Sequence, residues 1–164
     1  MLGIILLIAT AGLPLVVIYW YQTCILKSGY SWRRNDLLVP LLAAGVQFAA
    51  STIPYYFLDR LPANFLHHAI GGGVVVAIMT AYVISRLWPR LILWPRFFLL
   101  FSVVNILGNV NEIAELIGEL TTRHVYISTK LDTNIDLVAN NVGAFVGFLC
   151  ILLILNVMAK RRAR

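Results

Sequence analysis

Apolar runs at about residues 2–26, 37–58, 63–88, 97–120 and 135–158 decide most of what this chain can fold into. A helix needs about 20 residues to cross a hydrocarbon core about 30 Å thick, and every run is long enough. In such a medium each backbone N–H and C=O must be satisfied within the protein, which helices achieve within a single run. The fold class that follows is all-α: a polytopic bundle of about five transmembrane helices, with residues 1–164 forming a single transmembrane domain. The turns between runs are too short for a separate soluble domain, so any chemistry takes place in or at the bilayer.

Composition excludes the competing classes. With 60% hydrophobic and 12% charged residues the chain is too apolar for a soluble domain of this size. The net charge of +6 sits in short clusters between the apolar runs, a pattern set by membrane orientation rather than by nucleic acid. The first run lacks the basic start and small-residue cleavage site of a signal peptide, so it is expected to be retained. Tyr19, Trp20 and Tyr21 form an aromatic belt near its end, and Pro89 and Pro95 break the chain between the third and fourth runs. Cys24 and Cys150 lie too far apart in depth to pair.

Lysines and arginines in the short connections assign the two faces. Lys27, Arg33, Arg34, Arg86, Arg90, Arg96, Lys160, Arg161, Arg162 and Arg164 give ten on one side, against Arg60, Arg123 and Lys130 on the other. The positive-inside rule makes the richer side cytoplasmic. With five spans the N-terminus is expected outside and the C-terminus inside.

Five of the seven acidic residues fall between Asn105 and Gly147. At helical spacing Glu112, Glu115 and Glu119 form one stripe, and Asp132, Asp136 and Asn140 form another. Counting about 1.5 Å per residue from the nearest basic residue places Glu112 about 24 Å and Glu115 about 29 Å above the cytoplasmic boundary. His68 and His67 come at about 27 and 29 Å, and Asn140 and Asp136 at about 30 and 36 Å. Polar groups from three separate spans thus share one outer layer. An ionisable group within a span marks a functional site, and the glutamates also sit at the helix end that disfavours negative charge.

The candidate metal ligands are therefore His67, His68, Glu112, Glu115, Asp132 and Asp136, with Asn140 supporting them. Of the two histidines, about 100° apart around a helix, one is expected to face the carboxylates. Oxygen and imidazole donors suit a divalent ion such as Mg, Mn or Zn, and no other cofactor is indicated. His124, on the polar connection 121–134, is not expected to be a ligand. Below the acidic layer Gly143 and Gly147 have the spacing that lets a neighbouring helix pack closely. That neighbour is expected to be the fourth span, with the two acidic stripes facing a shared pocket. Gly71, Gly72 and Gly73 read as a packing surface, having no strand or phosphate-loop context.

The histidine followed by glycines early in one span, Glu112-x-x-Glu115 closing another, and Asp132-Thr133-x-x-Asp136-x-x-x-Asn140-x-x-Gly143-Ala144 opening the last together resemble the YjdF-like and VanZ-like small bacterial membrane proteins. The likeness covers about Asp59 to Gly147. It implies a polytopic envelope protein of the bacterial inner membrane, and VanZ-like members are associated with resistance to glycopeptide antibiotics.

Two function classes stay open at this point. One is a metal-dependent membrane enzyme acting on a phospholipid or polyprenyl-phosphate headgroup, with Glu112, Glu115 and Asp136 as its catalytic groups. The other is a non-enzymatic membrane subunit whose carboxylates bind an ion or ligand. A transporter fits less well, because only Asn105, Asn109 and Gln47 continue the polar layer inward. The partners implied are membrane lipids and a second copy or another membrane protein.

Overall fold

The computed structural model describes residues 12–27, 33–122 and 130–162, with side chains for 12–27, 33–121 and 131–155. Its helices are α1 (Gly12–Ile25), α2 (Arg34–Phe57), α3 (Arg60–Leu87), α4 (Leu93–Thr122) and α5 (Lys130–Arg162). Among the described residues α2 to α5 contain four segments long and apolar enough to cross a membrane. The described part of α1 is shorter, and the start of the expected first span, with His124 and Arg123, lies outside the described residues.

The expected boundaries of the middle spans move by only a few residues. α2 and α3 are joined by the extended residues Leu58 and Asp59, and α3 ends just before Pro89. Pro95 does not interrupt α4. It sits in the first turn, where a missing N–H breaks no helical hydrogen bond. The expected polar connection 121–134 is a correction in extent, because α5 already begins at Lys130 and Asp132 lies in its first turn.

The distribution of side chains is that of a lipid-exposed bundle. Large aliphatic residues such as Leu41, Leu42, Ile106 and Leu153 are exposed, while the interior holds Ala43, Ala44, Ala63, Ala77, Ala139 and Ala144. Small interior residues let helix backbones approach, and dispersion then replaces the missing hydrophobic drive. One apolar cluster joins Ala77, Leu100, Val104 and Ala144, and another joins Ala43, Val75 and Met79.

The centre of α3 is π-helical over His68–Val75, the stretch that includes Gly71, Gly72 and Gly73. A Cβ on Gly71 would stand 2.6 Å from Gln47 of α2, and one on Gly73 would stand 2.5 Å from the Gly143 Cα of α5. The triplet is the packing surface expected from sequence, and it serves α2 and α5.

The partner of Gly143 and Gly147 corrects the expectation. A Cβ on Gly143 would lie 1.8 Å from the Ala69 carbonyl oxygen, and one on Gly147 would lie 2.9 Å from the Ala77 Cβ. These glycines therefore face α3, not α4. Four residues apart on one helix stripe, they can serve only one neighbour, and α3 is the helix stripped of side chains to match. α4 meets α5 on a different face, through reciprocal amide hydrogen bonds between Asn105 and Asn141 of 3.0 and 3.1 Å.

A second polar group, not singled out from sequence, lies at the other end of the bundle. Asp36 is fully buried at the start of α2. Arg86 of α3 donates to it from Nε at 2.9 Å and from Nη2 at 3.0 Å. The Tyr82 hydroxyl and the Arg33 backbone N–H also donate to Asp36. Arg86 was counted above as a surface charge, yet its side chain is only 8% exposed. Removing it from the tally leaves nine basic residues against three, so the asymmetry persists.

Candidate functional site

The local sequence explains why the site sits where it does. Asn64 and His68 are four residues apart on α3, so both present to the same side. Asp132, Asp136 and Asn140 repeat that spacing on α5, and Glu112 comes from α4. His68 is about 12 Å along the helix axis from the first residue of α3, Asp136 about 9 Å from the first of α5, and Glu112 about 15 Å from the last of α4. α2 and α3 are antiparallel, as are α4 and α5, so these groups meet at one end of the bundle.

Of the residues expected from sequence, the structure brings three together. His68, Glu112 and Asp136 are all buried and each offers a ligand atom, these atoms lying within 4.8 Å of one another. The His68 Nε2 is 3.4 Å from Asp136 Oδ2. The other carboxylate oxygen of Asp136 accepts a 2.7 Å hydrogen bond from Asn64 Nδ2, and the Tyr55 hydroxyl donates to Asn64 Oδ1 at 3.1 Å. Asp136 is thus oriented by a chain reaching back to α2.

His67, Glu115 and Asp132 take other positions. The His67 ring turns to α2, with Nε2 at 3.2 Å from Ser51 Oγ, and lies edge-on to Tyr55. Glu115 accepts a 2.8 Å hydrogen bond from Asn111 one turn earlier. Asp132 accepts a longer one, 3.4 Å, from the same Asn64 amide that holds Asp136. It flanks the cluster and is half-buried.

Glu112 is the anomaly. It is 8% exposed, and neither carboxylate oxygen has a hydrogen-bond partner. The Thr133 hydroxyl approaches from α5 without completing a bond of normal geometry. The Asn140 Oδ1 is buried and unpartnered too, packed over Gly72. Leaving a buried acceptor unsatisfied costs about 1–3 kcal/mol, and more for a charged group. The buried, unpartnered Glu112 carboxylate marks a place where something positive or hydrogen-donating belongs.

The donor set fits a divalent ion. One imidazole nitrogen and two carboxylate oxygens are ligands common to Zn, Mn and Mg sites, and the free oxygens of Glu112 are of the required type. Asn140 lies one turn along α5 from Asp136, its amide set between Gly72 of α3 and Gly108 of α4. Asn64 was overlooked in the sequence, although its place four residues before His68 was a legible signal.

No family model matches the chain, and no curated protein or solved structure matches it either.

Proposed function

We propose that this is a bacterial inner-membrane protein that holds a divalent cation between His68, Glu112 and Asp136, at the outer-leaflet end of its helix bundle. The observation that carries the reading is the buried Glu112 carboxylate with no hydrogen-bond partner, within 4.8 Å of two further ligand atoms. A charged group inside a span is costly unless compensated, and a cation would compensate Glu112 and Asp136 together. The likeness of Asp132 to Ala144 to YjdF-like and VanZ-like proteins belongs to the same proposal. The outer-leaflet placement rests on the lysine and arginine asymmetry.

Thermal unfolding of the detergent-purified protein, with chelator and with added Zn, Mn or Mg, tests the reading. At a hundredfold excess over Kd a bound ion stabilises the folded state by about 2.7 kcal/mol, so one of the three metals should raise Tm in wild type. Two ionised carboxylates at this separation repel by about 3 kcal/mol at an effective dielectric near 20. Glu112→Gln should therefore lose the metal response yet leave the metal-free protein as stable as wild type or more so. A large fall in Tm for Glu112→Gln, not reproduced by treating wild type with chelator, would show the carboxylate to be a structural partner instead.

The Asn64 amide supplies a finer check. Partners that orient a ligand typically contribute 10–100-fold to metal affinity, so Asn64→Leu should weaken binding by about that factor while His68, Glu112 and Asp136 are intact. Unchanged affinity would remove Asn64 from the site.

A catalytic reading is favoured by one specific observation: among the described residues three His, Asp and Glu groups converge, not four, which leaves a coordination position for water or substrate. The ion would then polarise a phosphate oxygen of a phospholipid or polyprenyl-phosphate headgroup, held by His68, Glu112 and Asp136 as its ligands. α4 and α5 exceed a 30 Å core by about 15–20 Å in length. With that excess shared between both ends, the cluster lies several ångströms below the headgroups. Release of phosphate from lipid phosphomonoesters in vesicles, lost in Asp136→Asn, would support catalysis over simple ion binding.

Orientation has its own test. A cysteine introduced at Thr121 should react with an impermeant maleimide on intact cells. Reaction only after permeabilisation would put the cluster on the cytoplasmic side.

A further inference from the structure

At the end of the bundle away from the carboxylates, α3, α4 and α5 enclose a cavity of about 320 Å³. Its walls include Ile84, Leu93, Phe148 and Leu152, and the polar residues lining it are Ser85 and Arg96. That volume is at the lower end of the range for ligand pockets, and the lining is the aliphatic and aromatic surface that suits an acyl chain.

Arg96 is incompletely used by the fold. Its Nη2 donates to the Pro89 carbonyl at 2.6 Å, which fixes the guanidinium, but its Nε is buried and unpartnered. The ion pairs among the described residues are His68–Asp136 and Arg86–Asp36, and Arg96 is in neither. A buried guanidinium nitrogen without an acceptor is costly to leave so. The planar guanidinium fork is matched to carboxylate and phosphate oxygens. The positive end of the α4 dipole, three residues away, favours the same sign of partner.

The environment narrows the ligand further. The cavity lies between membrane-crossing helices and beside exposed side chains such as Trp94 and Leu155, so lipid has access to it. In the orientation proposed above this end faces the cytoplasm, and basic pockets between helices on that side are recognised binding places for anionic headgroups.

We propose that this cavity binds one anionic phospholipid, an acyl chain lying along the aliphatic wall and a phosphate oxygen accepting from the Arg96 guanidinium. The site is separate from the His68, Glu112 and Asp136 cluster and does not depend on a cation being bound there.

Native mass spectrometry of the full-length protein, titrated with dioleoyl-phosphatidylglycerol and with dioleoyl-phosphatidylcholine, tests the proposal. One arginine near an anionic headgroup is worth about fivefold in affinity, so wild type should prefer phosphatidylglycerol by at least about that factor at the first bound lipid. Arg96→Gln should abolish the preference, Arg96→Lys should keep part of it, and Leu152→Trp should weaken both lipids by filling the cavity. Arg60→Gln, at the other end of the bundle, should change nothing. Equal binding of the two lipids to wild type overturns the proposal. An equal loss of preference in Arg60→Gln and Arg96→Gln overturns it as well, because generic surface charge would then explain the selectivity. Should Arg96→Gln fail to fold, the Arg96→Lys and Leu152→Trp titrations decide alone: full wild-type binding in both would exclude the cavity.

Discussion

Replacing Arg86 by methionine is expected to destabilise the bundle by about 3–5 kcal/mol, the usual result of removing one partner of a buried ion pair. Asp36 is fully buried, and Arg86 contacts both of its carboxylate oxygens. The Tyr82 hydroxyl and the Arg33 N–H would still donate to Asp36 after the substitution, but neither carries a charge. The loss should therefore come from an uncompensated carboxylate between α2 and α3, not from missing hydrogen bonds. The double variant Asp36→Leu with Arg86→Met tests this account, because replacing a whole buried pair by apolar residues of similar volume is often neutral or stabilising. Unfolding in mixed micelles of mild detergent and SDS gives the comparison. A single variant within about 1 kcal/mol of wild type would mean that water or another cation reaches Asp36.

Valine at Gly143 should have an effect at least as large. The added Cβ would meet the Ala69 carbonyl oxygen at 1.8 Å, its carbonyl carbon at 2.7 Å and the Gly73 Cα at 2.9 Å. All three are backbone atoms, so no side chain can rotate away and α3 and α5 must separate. Overpacking in a tight core costs about 1–3 kcal/mol when the structure can adjust, and here the adjustment available is loss of the α3–α5 interface. Because that interface also holds His68 against Asp136, the same variant should lose any metal response. Gly45→Ala is the matched control: nothing lies within 4 Å of the position a Cβ would take there. It should be neutral or stabilising by up to about 1 kcal/mol through helix propensity. Similar behaviour of the two variants would refute the close α3–α5 contact.

The two ends of the bundle use charge differently. At the Asp36 end the carboxylate accepts from the Arg33 N–H, just before α2, and from Tyr82 and Arg86 of α3, a fixed structural joint. At the Glu112 end the carboxylate and the Asn140 oxygen are both left without partners. Burial is comparable, so satisfaction separates a joint from a candidate site. The apolar clusters around Ala77 and around Val75 lie between these polar ends, an arrangement that agrees with the absence of a continuous inward row of polar residues in the sequence.

Quantities governed by one-dimensional rules were legible from the residues alone. Hydrocarbon thickness fixes how long a span must be, so α2 to α5 were legible as apolar runs. The constant rise of a helix fixes depth, so His68, Glu112 and Asp136 could be placed in one layer before any contact was known. Helical periodicity put Asp132, Asp136 and Asn140 on one stripe. Rotation of each helix about its own axis, and the choice of neighbour, have no such rule. They depend on surfaces contributed by segments far apart in the chain, and were settled by how the helices pack. That packing chose His68 over His67, since the turn beginning the π-helical segment points one ring at Asp136 and leaves the other on Ser51. Gly143 was matched with Ala69 and Gly73 of α3, because there alone two stripped backbones could meet. Asp36 and Arg86, fifty residues apart, looked like ordinary boundary charges until the antiparallel packing of α2 and α3 buried one against the other.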